Sequence, residues 1–133
     1  MEASEIRETI SDYFRDLSEI HTVILFGSAA EGKLESHSDV DLAVASLGPL
    51  KLEDLLKINT DLQILLKRDI DLIDLNKAKG LIHYKILTKG IRLKNSGREL
   101  ADHMVRAMDF KTDFLPQLMA MQRRRIEKTA YGT

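Results

Sequence analysis

The 133-residue chain contains no cysteine and no tryptophan, has only two prolines, and carries aromatic side chains at 5% of its positions. Without thiols it can build no disulfide framework and no thiolate metal site, so a bound ion would have to rest on oxygen or imidazole ligands. No apolar run approaches the length that spans a bilayer. The first fifteen residues mix acids and bases without a continuous apolar core, which is not the pattern of a signal peptide. The expectation is a soluble, cytoplasmic protein. With 44% apolar and 31% charged residues, the chain can fill one core and leaves no room for a second catalytic domain.

A net charge of -1 conceals a strong asymmetry. Residues 1–76 hold 16 acidic against 7 basic side chains, whereas residues 77–133 hold 5 against 13. Part of this is solvated surface, but segregation on this scale also points to an acidic site facing a basic one. Cations, polyphosphates and charged partners are its natural ligands.

Periodicity predicts one alternating α/β unit without repeats. Ser4 is placed to cap a helix whose apolar positions Ile6, Ile10, Tyr13, Phe14 and Leu17 recur at helical spacing. Residues 22–26 (TVILF) read as a central strand stopped by Gly27, and residues 39–45 (DVDLAVA) as a second. In the latter, Asp39, Asp41 and Ala43 share one face and Val40, Leu42 and Val44 the other. Leu52, Leu55, Leu56, Leu62 and Leu66 mark a helix over 52–66, followed by a third strand over 69–75 (DIDLIDL). There Asp69 and Asp71 share a face and Asp74 lies on the opposite one. Ala78, Leu81, Ile82 and Ile86 predict a helix ended by Gly90, with a short edge strand at 91–93. Ser96 and Glu99 have capping-box spacing, and Pro116 predicts a kink or a division into two helices in the long helical region that follows. The tail 131–133 is expected to fray.

Chemistry concentrates in Phe26-Gly27-Ser28 and, ten residues on, Asp39-Val40-Asp41. A Gly-Ser turn at a strand end brings backbone and a hydroxyl close to a ligand and suits a phosphate group. Two carboxylates on one strand face can bind a pair of divalent cations, and Asp71 can approach from a neighbouring strand as a third ligand. Taken alone, a Gly-Ser pair is a plain turn and Asp-x-Asp a solvated strand end; the order and spacing of all the parts carry the reading. The acids do not form a calcium loop, because Ala43 and Val44 stand where an EF-hand needs a ligand and a glycine.

In the stretches Leu25-Phe26-Gly27-Ser28-Ala29-Ala30-Glu31-Gly32, Ser38-Asp39-Val40-Asp41-Leu42 and Arg68-Asp69-Ile70-Asp71-Leu72-Ile73-Asp74-Leu75, the chain resembles the minimal nucleotidyltransferases of the DNA-polymerase-β-like superfamily. The resemblance implies an α/β (α+β) palm with a small mixed sheet flanked by helices over residues 1–95, extended by a helical region over 96–133. It also implies that Asp39 and Asp41 hold two Mg2+ ions, that Asp71 ligates the second, and that Gly27 and Ser28 hold the terminal phosphates of ATP. Ala29 and Glu31 stand where many relatives carry arginines, which leaves Lys33, Lys67, Arg68, Lys85 and Arg92 as candidate phosphate contacts. The last helical region, with Arg123, Arg124 and Arg125, resembles antitoxins that accompany HEPN-domain ribonuclease toxins. That likeness implies transfer of AMP from ATP to a tyrosine of the toxin.

Two other functions remain open at this stage. One is nucleotide transfer to a small molecule such as an aminoglycoside, although little chain is left after residue 95 to build a pocket for one. The other is a module that blocks a toxin by contact alone, for which the carboxylates would be superfluous. His21, His37, His83 and His103 lack the spacing of a helical metal pair and are expected to have structural or surface roles. Met104, Met108, Met119 and Met121 read as core or interface filler. The arginine run lacks interleaved aromatics, so neither nucleic acid nor membrane is expected as a partner.

Overall fold

Helix α1 (Ala3–Arg15) turns Ile6, Ile10 and Phe14, each four residues from the next, into the interior. In this computed structural model, which describes residues 1–35 and 37–130, that face covers one side of a four-stranded sheet. The strands β1 (Ile20–Phe26), β2 (Val40–Ser46), β3 (Ile70–Asp74) and β4 (Ile91–Lys94) stand in the order β3-β2-β1-β4. β1 runs antiparallel to both β2 and β4, while β2 and β3 are parallel and joined through α2 (Leu52–Leu66). The sheet is therefore mixed, as expected, and the strand over 91–93 does form its edge.

The pleat of β2 divides the core in two. Val40, Leu42 and Val44 join Ile6, Ile10, Phe14, Ile58 and Leu62 beneath α1 and α2. Ala43 and Ala45 face the other way, against Ile86 and Leu87 of α3 (Gly80–Lys89) and Leu100 and Ala107 of α4 (Gly97–Asp113). Full burial of a side chain such as Phe14 or Leu62 contributes about 1.5–3 kcal/mol, so the two clusters hold the strand ends rigidly. Polar ties add orientation. Tyr13 donates to Asp61 at 2.7 Å between α1 and α2, and Lys94 Nζ donates to the carbonyls of Phe14 and Leu17 at 2.7 and 2.9 Å, fastening the end of α1 to β4.

Several local expectations are corrected. Ser4 does not cap α1; the helix begins at Ala3, two residues earlier than a Ser4 cap would set it, with Glu2 as its N-cap, leaving Ser4 inside the first turn. Ser96 is the N-cap residue of α4, but its hydroxyl bonds directly to the Glu99 carboxylate and not to a backbone amide. Gly90 does end α3, as expected, but in extended backbone; glycine is required there because a Cβ would lie 2.4 Å from both Ile24 Cγ2 and the Ile86 carbonyl. α2 has the expected limits, yet Leu52 and Leu56 are exposed and its buried stripe is Ile58, Leu62 and Leu66.

The chain divides at Phe114, and α5 (Leu115–Ala130) begins just before Pro116, whose missing amide costs nothing in a first turn. Met104 packs on the core, whereas Met108, Met119 and Met121 are exposed. The tail 131–133 lies outside the described residues. Among the described residues no helix is long and apolar enough to cross a membrane.

Candidate active site

β1 ends at Phe26, and the chain turns at once through Gly27, at φ +71°, into a short 3-10 turn over Gly27–Ala29. Phe26 is paired with Asp41 across β1 and β2, which sets the turn directly over that carboxylate. A Cβ on residue 27 would lie 2.2 Å from Asp41 Oδ2. Glycine is thus required twice, once by the left-handed backbone and once by the close approach of the acid.

The patterns Asp-Val-Asp-Leu and Asp-Ile-Asp-Leu open two neighbouring parallel strands, and the pairing aligns them without a shift: Val40 with Ile70, Asp41 with Asp71, Leu42 with Leu72. Asp41 and Asp71 are therefore direct cross-strand neighbours. Burial, the charges of Asp71 and Asp39, and a hydrogen bond with Asp71 raise the Asp41 carboxyl above the ordinary carboxylate range. Two facing carboxylates at a strand end call for a proton or a cation between them.

Asp39 is exposed, one residue before β2, and reaches Asp41 through its charge. Among the described residues no three His, Asp or Glu side chains converge on one ion position. The structure joins Asp41 to Asp71 and leaves Asp39 at the entrance of the strand. Asp69 also precedes its strand, and its carbonyl accepts the Val40 amide at 3.0 Å. Asp74 accepts the Asn76 amide at 3.0 Å and so caps the turn after β3. Of the three acids in that segment, only Asp71 is paired with Asp41.

A cavity of about 270 Å3 opens beside Gly27. Phe26, Gly27, Ala30 and Glu31 line one side, and Ile82, Lys85, Ile86 and Lys89 of α3 line the other. Lys85 was among the bases singled out in the sequence. Lys89 was not, because nothing in the linear pattern shows which helix faces the Gly-Ser turn. None of the remaining candidates lines this cavity. The Arg68 guanidinium donates to the carbonyls of Glu35 and Ser38 at 2.5 and 3.1 Å, stapling the loop that leads into Asp39. Lys33 pairs with Glu31 at 3.9 Å, Arg92 donates to Met104 Sδ, and Lys67 ends α2 in left-handed backbone at φ 54°.

The model of the polymerase beta nucleotidyltransferase family matches residues 8–99, which include Gly27, Ser28, Asp39, Asp41 and Asp71. The chain belongs to this nucleotidyltransferase family. The protein adenylyltransferase MntA of Shewanella oneidensis is 28% identical over 78 residues, covering 59% of this chain and 56% of that protein. The match thus spans little more than half of that relative. A candidate protein adenylyltransferase of Methanocaldococcus jannaschii is 30% identical over 91 residues, which cover 66% of this chain and 89% of the relative.

Among solved structures, a chain of a toxin-antitoxin complex with AMP-PNP superposes with a TM-score of 0.68 at 24% identity, covering 93% of this chain and 98% of that one. A tri-AMPylated Shewanella oneidensis HEPN toxin in complex with its MNT antitoxin gives a TM-score of 0.66 at 21% identity, with 96% and 98% coverage. These likenesses show that the fold is shared with those chains over most of its length.

On the α3 and α4 side, this nucleotidyltransferase also buries two imidazoles that lie far apart in sequence. His83 Nε2 and His103 Nδ1 are 2.9 Å apart, and His103 Nε2 is 2.9 Å from Asn76 Oδ1, whose amide nitrogen donates to the Ser46 carbonyl at 3.1 Å. Burial, then Arg106, then His103 lower His83 to about 4. The chain ties α3 and α4 to the ends of β2 and β3, consistent with the structural role expected of these histidines.

Proposed function

We propose that this nucleotidyltransferase transfers AMP from ATP to a hydroxyl of a partner protein, namely a tyrosine of a cognate HEPN-domain toxin, and thereby acts as its antitoxin. The observation that carries the reading is the in-register Asp41–Asp71 pair under the Gly27–Ser28 turn. Adenylyltransferase names on the sequence relatives, and toxin-antitoxin complexes among the structural ones, support protein as the acceptor.

The residues fit a divalent cation, because the facing carboxylates are hard oxygen ligands whose mutual repulsion a cation would relieve. Asp39, Asp41 and Asp71 would hold two Mg2+ ions, which when bound neutralise charge on the triphosphate and activate the attacking hydroxyl. Gly27 and Ser28 hold the terminal phosphates through backbone amides and the Ser28 hydroxyl. The absent side chain at position 27 keeps the Asp41 carboxylate against the turn, so phosphate and carboxylate sites are positioned by the same backbone.

Docking of the acceptor falls to the carboxy-terminal helices, where Phe114, Leu118, Met119, Met121 and Ile126 are exposed. Intact mass measurement tests the reading. The chain, ATP, Mg2+ and the co-purified toxin are mixed, and the toxin is expected to gain the mass of one or more adenylates. Silencing of the toxin without a mass change would mean neutralisation by contact alone. Adenylate appearing on an aminoglycoside and not on the toxin would make the acceptor a small molecule.

A further inference from the structure

We infer that Lys85 and Lys89 of α3 form a cationic wall that grips the β- and γ-phosphates of the nucleoside triphosphate held at the Gly27–Ser28 turn. The role rests on the nucleotide-site reading above and goes beyond it by naming the side chains that balance the triphosphate's charge.

A triphosphate brings several negative charges into a site whose sheet side supplies only more of them. Around the turn, Gly27, Ser28, Ala29 and Ala30 are uncharged, and Glu31 is acidic. Asp41 and Asp71 face each other nearby. Metal at the carboxylates would offset charge near the reacting phosphorus, but phosphates lying on the turn itself would meet neutral donors alone. Anions in such a position are held best by charge-assisted hydrogen bonds.

The opposite wall of the cavity supplies them. Lys85 and Lys89 are four residues apart, hence one above the other on the same face of α3. Both line the cavity that Gly27 lines, and among the described residues they are the only cationic ones that do so. α3 packs on the sheet face of Ala43, which by strand alternation is also the face of Asp41. Among the described residues Glu31 is the one acid on the cavity and pairs with Lys33, and neither Lys85 nor Lys89 takes part in an ion pair. Ile82 and Ile86, interleaved with the lysines, give the cavity an apolar floor that strengthens attraction between the ammonium groups and an anion. Here a helix from the basic half of the chain meets a turn from the acidic half.

Lysines spent only on solubility or on the dipole of α3 would bind no ligand, and calorimetry with two nucleotides separates the cases. ATP carries the β- and γ-phosphates and AMP does not. Titration of the full chain with Mg-ATP and with AMP is compared for wild type, Lys85→Gln, Lys89→Gln, the double Gln variant and the double Arg variant. The double Gln variant is expected to bind Mg-ATP about tenfold or more weakly, to bind AMP within about twofold of wild type, and to show a shallower salt dependence. Each single variant should show part of the loss, and the double Arg variant should restore affinity.

Unchanged Mg-ATP affinity in the double Gln variant, with wild type binding normally, would overturn the wall and leave the nucleotide site standing. Equal losses for ATP and AMP would overturn it as well, since the lysines would then act on the fold or on the nucleoside. A wild-type chain that binds no Mg-ATP would contradict the nucleotide site itself and the wall with it.

Discussion

Asp41 with Asp71 and His83 with His103 are two pairs of like titratable groups associated with the same side of the sheet, yet they are built on opposite terms. The imidazoles are 3% and 5% exposed, bond to each other and to Asn76, and stay neutral because burial disfavours their charged forms. The carboxylates sit at strand ends beneath a glycine that leaves room for one of them, and burial together with the nearby charges of Asp71 and Asp39 raises the pKa of Asp41. A pair that satisfies itself stabilises a fold. A pair that repels itself, held in place by backbone register, is completed by something from outside the chain.

The largest effect that would sharpen this contrast lies in the acids. Asp41→Asn is expected to reduce adenylate transfer by about a thousandfold or more while the chain stays folded, because removing one of two facing like charges relieves repulsion. Steady-state transfer assays and circular dichroism check both halves of that statement. Next comes Asp71→Asn, with an expected loss of more than about a hundredfold. Asp69→Asn and Asp74→Asn should each cost less than about tenfold, since neither is paired with Asp41. A larger loss at Asp69 would break the assignment of the third ligand.

The histidines should behave in reverse. His103→Ala leaves His83 and Asn76 without their partner, for an expected loss of about 1–3 kcal/mol in unfolding free energy, with transfer at saturating substrate kept within about twofold. Chemical denaturation against a rate measurement separates the two. The smallest expected effect concerns pH. The folded chain lowers His83 to about 4 from an ordinary 6.5, so the unfolded chain takes up the proton first as pH falls. Stability from this group is complete above about 6.5 and is lost as pH falls toward about 4. Arg106 opposes protonation of both imidazoles and His21 adds to that opposition at His103, where Asp102 and Asp74 favour it. Thermal melts across that range should show a steeper decline for wild type than for a His83→Phe variant.

The same contrast explains what could be read from the sequence. Strands with Asp-x-Asp, a glycine stop and leucines at helical spacing carry their own periodicity, so the helix over 52–66, the four strands and the split near Pro116 were legible from local pattern. Alternation within one strand also placed Asp41 and Asp71 on a common face once their strands were neighbours. Partnerships between distant segments left no local trace. Twenty residues separate His83 from His103, Arg68 reaches back to Glu35 and Ser38, and Lys89 acquires its place only when α3 packs beside the Gly27 turn. Ser4 and Ser96 misled for a different reason. Each has a capping residue's chemistry, but Glu2 starts the first helix and the nearby Glu99 carboxylate competes for the Ser96 hydroxyl.

The central claim is that the Asp41–Asp71 pair is completed by a divalent cation, and thermal unfolding of wild type and Asp41→Asn with and without Mg2+ tests it most directly. Without Mg2+ the variant should melt at or above the wild-type temperature, because the repulsion between facing carboxylates is gone. With millimolar Mg2+ and ATP the wild type should gain stability, and the variant should gain much less. A variant that melts below wild type in the absence of metal, and that gains as much as wild type in its presence, would contradict the account.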